Sequence, residues 1–197
     1  MQTRLTGTGI WSGGLRYGDA AAVADAAAEL ETLGYSALWI PDIGGELFGP
    51  LANLLGATTT ATIATGILNV WMHTADTTAA EHARLTSEHG DRFLCGVGIS
   101  HGPLIDNVIA PGTYQQPLAV MTAYLDGLDA APTPLAQENR VIAALGPQSR
   151  QRQSRSNMPR CRRVRTSTDG RQDRQSLVLN ARSRVHVSCP IARISSA

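Results

Sequence analysis

TIATGILNVWMHTADTTAAEHARLTSEHGDRFLCGVGIS, residues 62–100, contains a complete strand–helix–strand unit. TIATGILNVW (62–71) is apolar and rich in β-branched residues, which favours a buried strand. Thr78 followed by Glu81 reads as a capping box ahead of AAEHARLTSEHG, a helix stopped by Gly90. RFLCGVGIS (92–100) is a second apolar run. Neither run alternates with polar residues, as expected of parallel strands covered on both faces.

The same rhythm extends in both directions. TGTGIWS (6–12) reads as the first strand, and Asp19 can cap a helix whose Val23, Ala27, Leu30 and Leu33 share a face before Gly34 ends it. SALWIPD (36–42) is a second strand, and Pro50 is placed as the first residue of the helix LANLLGATT. Pro117 opens PLAVMTAYLDGLD, with Leu118, Met121, Leu125 and Leu128 on one side, and RVIAALG (140–146) is a fifth apolar run. Strands alternating with helices imply parallel βαβ units with right-handed crossovers. Five strands suit an open doubly wound sheet or the first part of an eight-stranded βα barrel, and periodicity does not choose between them.

Composition sets the outer bounds. The 197 residues are 43% hydrophobic with a net charge of +1, enough for one sizeable core. No apolar run approaches the roughly 18 to 20 residues that span a bilayer. The N-terminus MQTRLTGTGIWSGG has no signal-peptide pattern, and Cys95, Cys161 and Cys189 fit no zinc or disulfide spacing; the expectation is a cytoplasmic protein without a metal site. The charge is unevenly spread. Residues 1–148 hold five arginines against fourteen acidic residues, whereas 149–197 hold twelve arginines against Asp169 and Asp173. Lysine is absent, and every aromatic residue lies at or before Tyr124. Two kinds of polypeptide meet near Pro147.

LGYSALWIPD, IATGILNVWMHTADTTAAE, GDRFLCGVGISHGPL, YQQPLAVMTAYLDGLD and RVIAALGP, in this order, resemble the bacterial luciferase-like oxidoreductase family. The likeness is nearest to its deazaflavin (coenzyme F-420)-dependent branch and runs from residue 7 to 147. It implies an α/β fold, the N-terminal part of a TIM (β/α)8 barrel of about five strands. It also implies coenzyme F-420, or FMN as the alternative, at the C-terminal ends of the strands, and hydride transfer with a small organic substrate. Residues 1–147 are expected to form this partial barrel. After Pro147 the resemblance stops, and QSRQRQSRSNMPRCRRVRTSTDGRQDRQ has no apolar periodicity. Residues 148–197 are therefore expected to be an Arg-rich, mostly disordered tail, as a shifted reading frame through a GC-rich gene would produce. A nucleic-acid-binding tail is the rival, disfavoured because no aromatic is present for base stacking. Catalysis in this chain is expected to be impaired, with an inactive remnant as the alternative. The uncovered first and fifth strands would favour self-association as a homodimer.

The resemblance also assigns roles. Asp42 ends the second strand, where barrel active sites collect side chains, and matches a position facing the deazaflavin. The next position, often His in relatives, is Ile43. Gly66-Ile67 matches a non-proline cis peptide and bulge under the cofactor ring, with Asn69 and Trp71 following. His73 and His101 are candidate proton donors, since imidazole titrates near neutrality. Gly98 and Ser100 are expected beside the ring, and Gly146-Pro147 at its phosphate. His82 and His89, seven apart on a helix, read as surface residues, as do Asp126 and Asp129. GVGISHG (96–102) suggests a dinucleotide loop, but Pro103 is expected to interrupt the helix that such a loop needs, and no acidic strand end follows.

Overall fold

Each strand presents two apolar faces, and among the described residues the helices cover only one of them. The computed structural model describes residues 5, 7–143 and 176–180. β1 (Thr8–Ser12) pairs in parallel with β2 (Tyr35–Ile40), and β2 with β3 (Thr62–Thr65). β5 (Phe93–Gly98) pairs in parallel with β3, with β4 (Leu68–Asn69) and with β6 (Arg140–Ile142). β3 and β4 are the two halves of one predicted strand, parted where the Gly66-Ile67 peptide is cis. The five predicted strands are thus all present, in consecutive order.

Side chains alternate across the sheet as the strand period demands. From β2, Leu38 and Ile40 join the large core, while Ala37 and Trp39 point the other way. The large core is completed by α2 (Ala20–Thr32), α3 (Phe48–Ala57), α4 (Ala75–His89) and α6 (Pro117–Ala130), through residues such as Ala27, Leu51, Leu85 and Leu128. The opposite cluster, Ala37, Trp39, Ala64, Leu94 and Val141 with Leu5 and Trp11, contains no helix residue. Helices on one face only are the arrangement of a barrel segment; a doubly wound sheet carries them on both.

Asp19 caps α2 as expected, its carboxylate accepting from the amides of Ala21 and Ala22. The start of α4 differs from the sequence reading. Thr74, not Thr78, is the cap, accepting from the Thr77 amide at 3.1 Å. Thr78 lies one turn inside, fully buried, with its hydroxyl 2.6 Å from that of Tyr124. Glu81 pairs with Arg84 on the surface. His82 is also not a surface residue: it is buried, and its Nε2 reaches the Phe93 carbonyl at 3.1 Å. Pro50 falls in the first turn of α3, after Phe48 and Gly49. Asp126 and Asp129 are both exposed as expected, and Asp129 pairs with the buried Arg140.

Ser176–Asn180 forms β7, antiparallel to β1. The first strand is therefore not an open edge, because a short apolar run from the basic tail takes up its hydrogen bonds. The rest of the predicted tail, with Gly146 and Pro147, lies outside the described residues. Among the described residues no helix is long and apolar enough to cross a membrane.

Candidate functional site

Parallel strands all point the same way, so the segments leaving their C-terminal ends gather on one side of the sheet. Asp42 leaves β2 there, and its side chain is buried. Its Oδ2 accepts the Asn69 amide at 3.0 Å and lies 3.0 Å from His73 Nε2. Its Oδ1 accepts the Gly44 amide at 3.4 Å. A carboxylate only accepts, so this contact is made by an Nε2–H of the imidazole. The His73 ring is held edge-on against Phe48, with centroids 5.4 Å apart. Asp42 and His73, 31 residues apart in sequence, form one carboxylate–imidazole pair.

Asn69 is fully buried beside this pair. Its Oδ1 accepts the Trp71 amide at 3.2 Å, while its Nδ2 has no partner among the described residues. Trp71 donates to the Ile99 carbonyl at 2.9 Å and lies against Tyr114, ring centroids 5.5 Å apart. The glycines of this region admit close neighbours. A Cβ on Gly66 would sit 2.9 Å from Trp11 Cδ1, and one on Gly98 would sit 2.8 Å from Ile67 Cγ1. Gly98 thus makes room for Ile67, the residue after the cis bond. Ser100 follows with φ +53°, a left-handed turn at the end of β5.

His101 is not brought to the pair. It is exposed at the start of α5 (Gly102–Val108), where its carbonyl accepts the amides of Leu104 and Ile105. Pro103 does not interrupt this helix but lies in its first turn, where a missing N–H costs nothing. His89 is the last residue of α4, where the chain turns back toward the start of β5, and its Nε2 lies 3.8 Å from Glu88 Oε2. Among the described residues no group of three or more His, Cys, Asp or Glu could hold a metal.

Two contributors escaped the sequence reading. α1 (Gly14–Tyr17) follows β1, and its buried Arg16 donates from Nη2 to the Gly44 carbonyl at 3.2 Å. The Tyr17 hydroxyl accepts the Ile43 amide at 3.2 Å. The signal available was the glycine frame around GLRY and the Gly44-Gly45 pair directly after Asp42.

A model of the luciferase-like monooxygenase family matches residues 4–155. The chain belongs to that family. Solved structures similar to it include a coenzyme F-420-dependent tetrahydromethanopterin reductase from Methanopyrus kandleri, at 17% identity and TM-score 0.56. That match covers 74% of this chain and 52% of the other. An F-420-dependent secondary alcohol dehydrogenase in complex with an F-420–acetone adduct matches at 16% identity and TM-score 0.53, covering 64% and 41%. The monooxygenase RslO1 from Streptomyces bottropensis matches at 16% and 0.55, covering 75% and 55%. This luciferase-like chain therefore spans about half the length of the solved structures it matches. No curated protein matches it in sequence.

Proposed function

We propose that the site at the C-terminal strand ends serves hydride transfer between coenzyme F-420 (FMN as the alternative) and a small organic alcohol or carbonyl compound. Asp42 and His73 move the accompanying proton. The observation that carries this reading is the buried Asp42 carboxylate holding His73 at 3.0 Å, inside a chain of the luciferase-like family.

The residues present fit such a cofactor. The unpartnered Nδ2 of buried Asn69 offers a donor to a ring carbonyl, and Ile67, seated on Gly98, offers an apolar support. Ser100 follows two residues after β5, and Trp71 packed against Tyr114 offers an aromatic surface. When bound, coenzyme F-420 supplies the carbon that gives or takes the hydride. His73 does what a general base must: Nε2–H is tied to Asp42, so Nδ1 accepts the hydroxyl proton of an alcohol as it is oxidised. In the reverse direction the protonated ring returns it. Asp42 stabilises the imidazolium formed, as a carboxylate behind a catalytic imidazole does. His101, exposed on the rim, is assigned no proton step.

Two titrations test this reading. Fluorescence titration of F-420 and of FMN against the chain should show F-420 bound more tightly, and Asn69→Ala should weaken it. His73→Gln should leave that binding in place while removing whatever turnover of secondary alcohols this half-length chain retains. Absence of binding by both cofactors would overturn the cofactor assignment. Full turnover by His73→Gln would overturn the proton role.

A further inference from the structure

The loop that carries Asp42 has almost nothing of its own to hold it. Asp42 is followed by Ile43, which is exposed, and by Gly44 and Gly45, with φ of +123° and +78°. Two glycines in succession bring no side chain to pack, and their backbone freedom makes the segment costly to order. The contacts that fix it come from α1. Arg16 Nη2 donates to the Gly44 carbonyl at 3.2 Å, and the Tyr17 hydroxyl accepts the Ile43 amide at 3.2 Å. The Gly44 amide in turn donates to Asp42 Oδ1.

Arg16 is otherwise poorly provided for. It is only 6% exposed, and its Nε has no partner among the described residues. The acidic residues of the adjoining segments are engaged elsewhere. Asp19 takes the amides of Ala21 and Ala22, Glu46 takes that of Gly49, and Asp42 takes Asn69 and His73. The guanidinium lies 4.7 Å from the centroid of the Tyr17 ring, which braces it. A buried guanidinium without a carboxylate costs stability. The hydrogen bond it makes leads to Gly44, and through Gly44 to the carboxylate.

We infer that Arg16 and Tyr17 are positioning residues that lock the Asp42–Gly45 loop, and so set the orientation of Asp42 against His73. The inference rests on reading Asp42 and His73 as the proton-transfer pair. The relay runs from the Arg16 guanidinium through both polar groups of Gly44 to Asp42 Oδ1, and from Asp42 Oδ2 to His73 Nε2. Tyr17 accepts the intervening Ile43 amide. Neither residue needs to touch substrate.

The test uses the whole chain labelled with nitrogen-15, and reads the His73 ring directly by NMR without any cofactor. In the unaltered protein at mildly alkaline pH, His73 should occupy a single tautomer with the proton on Nε2. That proton should be visible and slow to exchange with water. Arg16→Met should speed its exchange until the signal is lost, and the tautomer ratio should move toward that of free imidazole. Arg16→Lys, which keeps a donor, should recover part of the signal. Tyr17→Phe removes one oxygen from a half-exposed ring and leaves the fold in place, so it reads out the relay even if Arg16→Met unfolds. An unchanged Nε2 proton in folded Tyr17→Phe would overturn the inference whether or not Arg16→Met folds, and so would an unchanged one in folded Arg16→Met. An altered His73 signal in a chain that binds neither F-420 nor FMN would uphold the relay while removing the cofactor reading.

Discussion

The indole nitrogen of Trp11 donates to the carbonyl of Gly66 at 2.7 Å, joining β1 to the break between β3 and β4 across the inner face of the sheet. Trp11 also occupies the space where a side chain at position 66 would go. Gly66→Ala should therefore destabilise by about 1–3 kcal/mol through overpacking. Gly96→Ala should cost more, because its Cβ would fall on the carbonyl oxygen of Thr65, a backbone atom between paired strands that cannot turn aside. Urea unfolding followed by tryptophan fluorescence measures both. The reverse order of severity would show that the inner face yields less readily than the paired backbone.

Glu31, on α2, closes the turn before β3. Its carboxylate accepts the amides of Thr59, Thr60 and Ala61, the last at 2.6 Å. Burial opposes ionisation there, but these amides and the Thr60 hydroxyl outweigh it and lower the carboxyl to about 2. Because the folded value lies below the ordinary 4.5, its stabilisation is complete above that pH and fades as pH falls toward 2. Glu31→Gln should lower stability at neutral pH by about 1 kcal/mol, the scale of one net hydrogen bond. It should also flatten the acid limb of a melting-temperature profile, and an equally steep limb in the variant would refute the assignment.

His82 gives a second pH dependence, nearer neutrality. Burial lowers its basicity below the ordinary 6.5, against the opposing pull of the Phe93 carbonyl and of Asp91. The unfolded chain then binds a proton that the folded chain refuses, so stability is full above about 6.5 and falls as the solution is acidified below it. Calorimetric melts between pH 7.5 and 5 should show this decline. His82→Gln, which keeps a donor for Phe93, should show less of it.

Cys95 is fully buried on β5, and desolvation pushes its thiol up to about 12, despite an opposing hydrogen bond from Thr65. A thiol that stays protonated is a poor nucleophile. Iodoacetamide at pH 8 followed by peptide mass mapping should leave Cys95 unlabelled in the folded chain and label it in guanidinium. Rapid labelling without denaturant would mean that β5 opens readily.

What sequence alone determined was the run of strands and helices. Strands buried on both faces must be apolar throughout, helices must repeat their apolar residues every three or four positions, and both patterns are local. The cap at Asp19 was legible for the same reason, whereas the break at Gly66-Ile67 was legible only through family likeness. Local pattern failed where two local solutions competed or where a partner lies far along the chain. Thr74 and Thr78 both precede a helical run, and burial of Thr78 against Tyr124, 46 residues away, selects Thr74 as the cap. His82 looked like a surface residue until β5 brought the Phe93 carbonyl to it. Asp42 and His73 were each legible as candidates, but their pairing was not. It depends on the parallel register of β2 with β3, which sets Ile40 opposite Thr65 and so brings the segments after both strands to one place. The bracing of Gly44 by Arg16, from a helix after β1, is tertiary in the same sense. Hydrogen bonds between separate crossover loops exist only once the strands beneath them have been aligned, and no spacing within either loop encodes them.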